Sequence, residues 1–130
     1  MLGGGNPVGG ANPTGIGQTL NYIGKHAYAN SGSIQNAGTG GPDATALKFT
    51  TGNSYIVGML DFSNTNPAGH DTYLQVLYDG QIVIDVKEAN AGIVPMRFDI
   101  LITPHTKVEV KFGFNSTYDG NVMITGEVYG

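Results

Sequence analysis

The stretch KVEVKFGF, Lys107 to Phe114, alternates cleanly: Val108, Val110, Phe112 and Phe114 point one way, and Lys107, Glu109 and Lys111 the other. A period of two is the signature of a β-strand with one buried and one wet face. Just upstream, Phe98, Ile100 and Ile102 form an inward set, with Arg97 and Asp99 outward. The two runs are joined by Thr103-Pro104-His105-Thr106, where Pro104 forces its predecessor into an extended conformation and ends the first strand. Strands that are wet on one side belong to antiparallel sheets.

Working outward, helical periodicity is nowhere sustained, and Gly, Asn, Asp and Pro interrupt the chain at short intervals. A first strand is expected within Leu20–Ala29, which would place Tyr22 and Tyr28 on one face, followed by a polar loop from Asn30 to Pro42. Further strands are expected over Thr45–Thr50, Tyr55–Phe62, Thr72–Tyr78, Gln81–Lys87, Met96–Thr103, Lys107–Phe114 and Val122–Tyr129. The resulting all-β, eight-stranded antiparallel sandwich is best drawn as a jelly roll.

Asp79-Gly80 lies between apolar runs and reads as a two-residue type I′ hairpin turn, whose central positions both need φ > 0. A regular ladder from this turn opposes Leu77 to Ile82, Gln75 to Ile84 and Tyr73 to Val86. On its other side it opposes Tyr78 to Gln81, Val76 to Val83 and Leu74 to Asp85. Both faces are then partly apolar, so Leu74, Val76 and Val83 are the expected oligomer contact. If the hairpin presents its other face, the contact falls on Tyr73, Leu77 and Ile84 instead.

Residues 1–17, MLGGGNPVGGANPTGIG, contain seven Gly, no charge, and an Asn-Pro-x-Gly unit at Asn6 that recurs at Asn12. Gly is costly to order, Pro removes a donor, and so little apolar surface cannot fold alone. The segment reads as an extended arm ordered on a partner through Gly5, Asn6, Pro7, Val8, Asn12, Pro13 and Ile16. Residues 18–130 form the globular domain. With no resemblance to a signal peptide and no apolar run near 18 residues, neither secretion nor membrane insertion is expected.

Charged residues are only 12 % of the 130, about half the usual share, which favours association over a free monomer. A net charge of −4 with six scattered Lys and Arg argues against nucleic acid as a partner. Cys is absent, which excludes disulfides and thiolate chemistry. The three His (His26, His70, His105) are isolated, with no His-x-His pair of the kind a cupin-like metal site needs. No Ser lies in a strand-turn-helix elbow, and spacing brings no two carboxylates together. No enzyme activity, cofactor or metal is expected. Asn115-Ser116-Thr117 matches a glycosylation sequon and reads as a polar turn.

LGGGNPVGGANPTGIG (Leu2–Gly17), LNYIGKHAYANSG (Leu20–Gly32), FDILITPHTKVEVKF (Phe98–Phe112) and ITGEVYG (Ile124–Gly130) together resemble small Gly-rich all-β virion proteins of tailed bacteriophages, in the capsid decoration or cement class. The resemblance covers most of the chain and implies a homo-oligomer, a trimer, that clamps neighbouring subunits of a major capsid protein. It places the protein on the virion surface after synthesis in a host cytoplasm. The alternative is a carbohydrate-binding β-sandwich, such as the receptor-binding head of a fibre or spike, with surface glycans as partner. A groove lined by paired Tyr would favour it.

An arm that is no part of the core is dispensable for folding. Deletion of Leu2–Gly17 is expected to leave the melting temperature of the domain unchanged in a thermal scan.

Overall fold

The computed structural model describes residues 20–65, 70–88 and 96–130, all of them strands, turns or loops. The arm residues Gly5, Asn6, Pro7, Val8, Asn12, Pro13 and Ile16 lie outside the described residues. Ten strands build two antiparallel sheets: β1 (Asn21–Ile23), β2 (His26–Asn30), β3 (Ile34–Gln35), β4 (Ala44–Thr50), β5 (Tyr55–Asn64), β6 (Thr72–Tyr78), β7 (Gln81–Glu88), β8 (Met96–Ile102), β9 (Lys107–Phe114) and β10 (Asp119–Tyr129). One sheet runs β1-β2-β10-β5-β8, with β3 pairing the start of β10; the other runs β4-β9-β6-β7. Setting aside the short β1 and β3, the remaining eight strands stand in the orders first-eighth-third-sixth and second-seventh-fourth-fifth, the double Greek key of a jelly roll.

Three phenylalanines join the sheets at the centre. Phe62 of β5 sits 5.4 Å from Phe112 and 6.4 Å from Phe114 of β9, centroid to centroid. Offset and tilted ring pairs at this spacing add to the burial of their area. Gly120 of β10 makes room for them, since a Cβ there would stand 2.6 Å from the Phe112 ring. The inward set Val108, Val110, Phe112 and Phe114 is fully buried, as the alternation predicts.

At one end of the sandwich, threonines tie the β4–β5 and β8–β9 connections together. The Thr51 hydroxyl donates to the Thr103 carbonyl at 2.7 Å and accepts from the Thr106 N–H at 2.8 Å. The Thr51 N–H donates to the Thr106 carbonyl, and the His105 N–H to the Gly52 carbonyl. The buried hydroxyl and amide of Thr51 and the amide of Thr106 are thereby partnered, as buried polar groups require. His105 follows Pro104 at φ 54, so its role here is carried by its backbone.

Two expectations fail through local geometry. The expected first strand, Leu20–Ala29, is a tight hairpin, because Gly24 (φ 58) turns the chain between Ile23 and His26. Asn21 opposes Tyr28 and Tyr22 opposes Ala27, so Tyr22 faces the core while Tyr28 faces out. Burial raises the pKa of the Tyr22 phenol, partly offset by a hydrogen bond to the backbone at Gly52. The expected loop from Asn30 to Pro42 also contains β3.

The second failure concerns the hairpin register. Asp79 (φ 51) and Gly80 (φ 82) form the two-residue turn, and Tyr78 opposes Gln81 and Leu77 opposes Ile82 as expected. The register then shifts: Val76 opposes Ile84, Gln75 opposes Asp85, Leu74 opposes Val86 and Tyr73 opposes Lys87. Val83 is the extra residue of a β-bulge, which re-aims everything beyond it. Leu74 and Val76 are 0 % and 1 % exposed, enclosed by the chain's own core; of the three expected oligomer-contact residues, Val83 alone is exposed, at 48 %. The opposite face is polar, with the Lys87 ammonium 5.7 Å from the Tyr73 ring centroid and Gln75 beside Asp85.

The Asp79 carboxylate accepts from the Lys107 N–H at 2.8 Å, and the Asp79 N–H donates to the Lys107 carbonyl. The turn is therefore pinned to β9 as well as closing its own hairpin. Gly80→Val is expected to cost about 1–3 kcal/mol through strain at positive φ. Asp79→Ala is expected to cost about 1 kcal/mol or more by losing the pinning bond. Urea denaturation of both variants checks these values, and Asp79→Asn should retain most of the stability.

Candidate assembly face

Both sandwich sheets turn one face to the core, and their outer faces differ in chemistry. On the four-stranded sheet, Lys48 opposes Glu109, and Lys111 lies between Thr45 and Gln75, with Asp85 beyond. Lys107 and Lys87 complete the set, so four of the six cationic side chains, scattered in sequence, gather on one surface. Only Leu77 and Ile82, next to the hairpin turn, interrupt it with a directly opposed apolar pair.

The outer face of the six-stranded sheet interleaves large apolar side chains with polar and charged ones. Register places Ile23, His26, Glu127, Val57 and Leu101 in one row across β1, β2, β10, β5 and β8. The next row holds Asn21, Tyr28, Thr125, Met59 and Asp99, and the third Asn30, Met123, Asp61 and Arg97. Tyr55 and Tyr129 oppose each other at the end of the β5–β10 ladder. Ten large apolar side chains are exposed among the described residues, and eight of them stand here; the other two, Ile82 and Val83, are on β7. Ile23 at 58 %, Leu101 at 54 % and Val57 at 46 % are the most exposed aliphatics of the face. Scattered apolar residues need no explanation, but eight of them gathered on one sheet face mark an interaction surface.

Glycines shape this face. Gly58 and Gly126 oppose each other at its middle. A Cβ at Gly58 would stand 1.9 Å from the Thr125 carbonyl oxygen, and one at Gly126 2.8 Å from the Val57 carbonyl oxygen. The strands approach so closely here that no side chain fits at either position. A shallow groove of about 440 Å³ runs over them, lined by His26, Tyr28, Val57, Met59, Thr125 and Glu127 among others. At the rim the Arg97 Nε donates to the Asp61 carboxylate at 2.6 Å, an exposed ion pair of small energetic value.

The other side chains singled out in the sequence do not converge. His26 lies on the apolar face and His105 in the β8–β9 turn. The Nδ1 of His70 is 3.0 Å from the Asn115 side-chain oxygen, and its Nε2 is 3.3 Å from the Tyr118 hydroxyl. The same Asn115 oxygen accepts from the Asp71 N–H, so the sequon asparagine staples the β9–β10 loop to the start of β6. Among the described residues, no three His, Asp or Glu side chains gather as a metal site would require.

No protein family matches this sequence, and no curated protein matches it. Among solved structures, one of infectious bursal disease virus, Gt strain, aligns with 78 % of the chain at 16 % identity and a TM-score of 0.41. Another, of the Gx strain, aligns with 78 % at 14 % identity and a TM-score of 0.39. This chain spans 30 % and 29 % of the length of those two chains.

The residues of the face were individually visible in the sequence. What hid the face was the run Tyr55-Ile56-Val57-Gly58-Met59-Leu60, apolar at every position and so consistent with a strand buried on both sides. Gly58→Ala is expected to destabilise by about 1–3 kcal/mol or more, since the added methyl meets backbone that cannot swing aside. Denaturant midpoints of the variant and the parent measure it.

Proposed function

We propose that this chain is a non-enzymatic structural protein of a virion, a capsid decoration or cement protein that assembles through its sandwich and attaches through its arm. The observation that carries the proposal is the division of the surface: one sheet face gathers four of the cationic side chains, and the other gathers eight of the ten exposed large apolar side chains of the described residues, a surface suited to a partner. A protein with low overall charge and a broad apolar sheet face is built for assembly. The sequence resemblance to tailed-phage virion proteins supplies the setting, with a major capsid protein as the partner and the capsid surface as the location. The jelly roll alone does not select this role, because the fold hosts many functions.

Attachment is assigned to residues 1–17. Fixing a backbone costs about 1–2 kcal/mol per residue, so an arm of this length must recover its ordering cost from many contacts on the partner. Its apolar side chains are few, so main-chain hydrogen bonds in a groove or along a strand supply the rest.

One observation favours a second reading. Tyr55 and Tyr129 oppose each other, both half exposed, and such a pair could stack against a sugar ring. The Tyr129 hydroxyl is already engaged with the Glu127 carboxylate at 3.5 Å, and the pair is two of the eight exposed large apolar side chains of the face, which places this reading second. A glycan array separates the two: specific binding by the parent, lost in Tyr55→Ala, would replace the virion-assembly proposal with a lectin-like one.

The direct test is co-sedimentation of full-length protein and the Leu2–Gly17 deletion with capsids that lack the protein. Full-length protein is expected to bind in regular copy number, and the deletion to bind far more weakly. Because the arm carries no charge, binding should change little between low and high salt. Equal binding by the deletion would remove the arm from the mechanism, and no binding by either would remove the capsid.

A further inference from the structure

We infer that the apolar face of the six-stranded sheet is covered by the same face of a second copy of this chain. The inference stands apart from the virion reading, since it is tested on the isolated protein.

The sheet edges are poor docking sites. On β8 the outward side chains include Arg97 and Asp99; β7 is bulged at Val83 and carries Asp85, Lys87 and Glu88; β4 is bulged at Ala46 and carries Lys48; β1 has only three residues. Charge, bulges and shortness are the devices that stop a strand edge from recruiting another strand. Contact is thereby directed away from the edges and onto the face.

The area of that face suits a second copy. Five strands about 4.8 Å apart, averaging roughly seven residues at about 3.3 Å, give a footprint on the order of 500 Å². Two such faces bury on the order of 1,000 Å² before side-chain relief is counted, which is where specific interfaces begin. Of the exposed large side chains, Tyr28, Val57, Met59 and Met123 stand on the inner strands β2, β5 and β10 with Thr125 and Glu127 among them, Ile23 and Leu101 stand on the edge strands, and Arg97 with Asp61 and the polar Asn30 lie along one side. Tyr, Met and Arg are the side chains enriched at protein contacts. Two stacked sheets also reproduce the packing already inside the sandwich, at about 10 Å between layers. The face is used identically by both copies, so the contact closes at two.

The experiment is sedimentation velocity of the full chain across the micromolar range, with Val57→Glu and Leu101→Glu beside it. These positions are exposed on neighbouring strands, so both variants should fold, and their melting temperatures verify that. The parent is expected to sediment as a dimer, and each variant to dissociate about tenfold more readily or worse. Met59→Gln, which keeps the length of the side chain and adds polarity, should weaken the dimer to a lesser degree and covers the case of a misfolded Glu variant. Lys87→Glu, on the charged outer face of the other sheet, should leave the dimer intact. A monomeric parent overturns the inference, as does a parent oligomer unaffected by Val57→Glu and Leu101→Glu. A dimer lost through Val83→Glu alone also overturns it and moves the contact to the β6–β7 hairpin. A trimer would overturn the two-fold arrangement.

Discussion

An unbroken ladder of ten residue pairs joins β5 to β10, from Tyr55 opposite Tyr129 to Asn64 opposite Gly120. The six-stranded sheet takes its sidedness from this ladder. It places Ile56, Leu60 and Phe62 inward with Val122 and Ile124, and it sends Val57, Met59 and Met123 outward. A slip of one residue would exchange those sets, exposing Phe62 and burying Asp61. Gly58 and Gly126 resist such a slip, because a neighbour carrying a Cβ would meet backbone at their close approach. Phe62, fixed by the ladder, meets Phe112 and Phe114 of the other sheet, so the same constraint aligns the two layers.

The sequence was readable where polarity alternates and a turn has a known chemistry. β8 and β9 show inward apolar and outward charged positions, and both stand as their pattern indicates. The Asp79-Gly80 turn adopts the positive φ values its residues allow. Reading fails where an added residue leaves the pattern apolar. The insertion of Val83 slides β7 by one, yet Ile82, Val83, Ile84 and Val86 look acceptable in either register, so nothing in the order of residues marks the bulge. At Ala46 in β4 the same event brings two consecutive residues, Ala46 and Leu47, into the core. Gly24 was legible in principle. A glycine flanked by Ile23 and Lys25 is a turn signal, and at φ 58 it closes the β1–β2 hairpin.

The candidate face was the least legible part of the molecule. A strand buried on both sides and a strand that is apolar on both sides with one side uncovered have the same sequence. Only the partner strand and the second layer distinguish them. The oligomer contact expected on Leu74 and Val76 met the same difficulty: their apolar identity is visible, but which face of β6 turns to the core is settled by the second sheet. The Asn115 staple shows the converse case. Asn115-Ser116-Thr117 is the polar turn that its sequence indicates, and the tertiary role of the Asn115 side-chain oxygen, which holds His70 and Asp71 in place, is not visible in it.

Met59 and Met123 give the apolar face a chemistry of its own. The chain has no Cys, so thioethers are its most readily oxidised groups, and these two stand about a third exposed on the outward surface of β5 and β10. Conversion to the sulfoxide makes a flexible apolar side chain polar, and it is reversed enzymatically. Covered thioethers are shielded from peroxide and uncovered ones are not. The oxidation state of these two residues is therefore a covalent record of how long the surface has stood open to solvent.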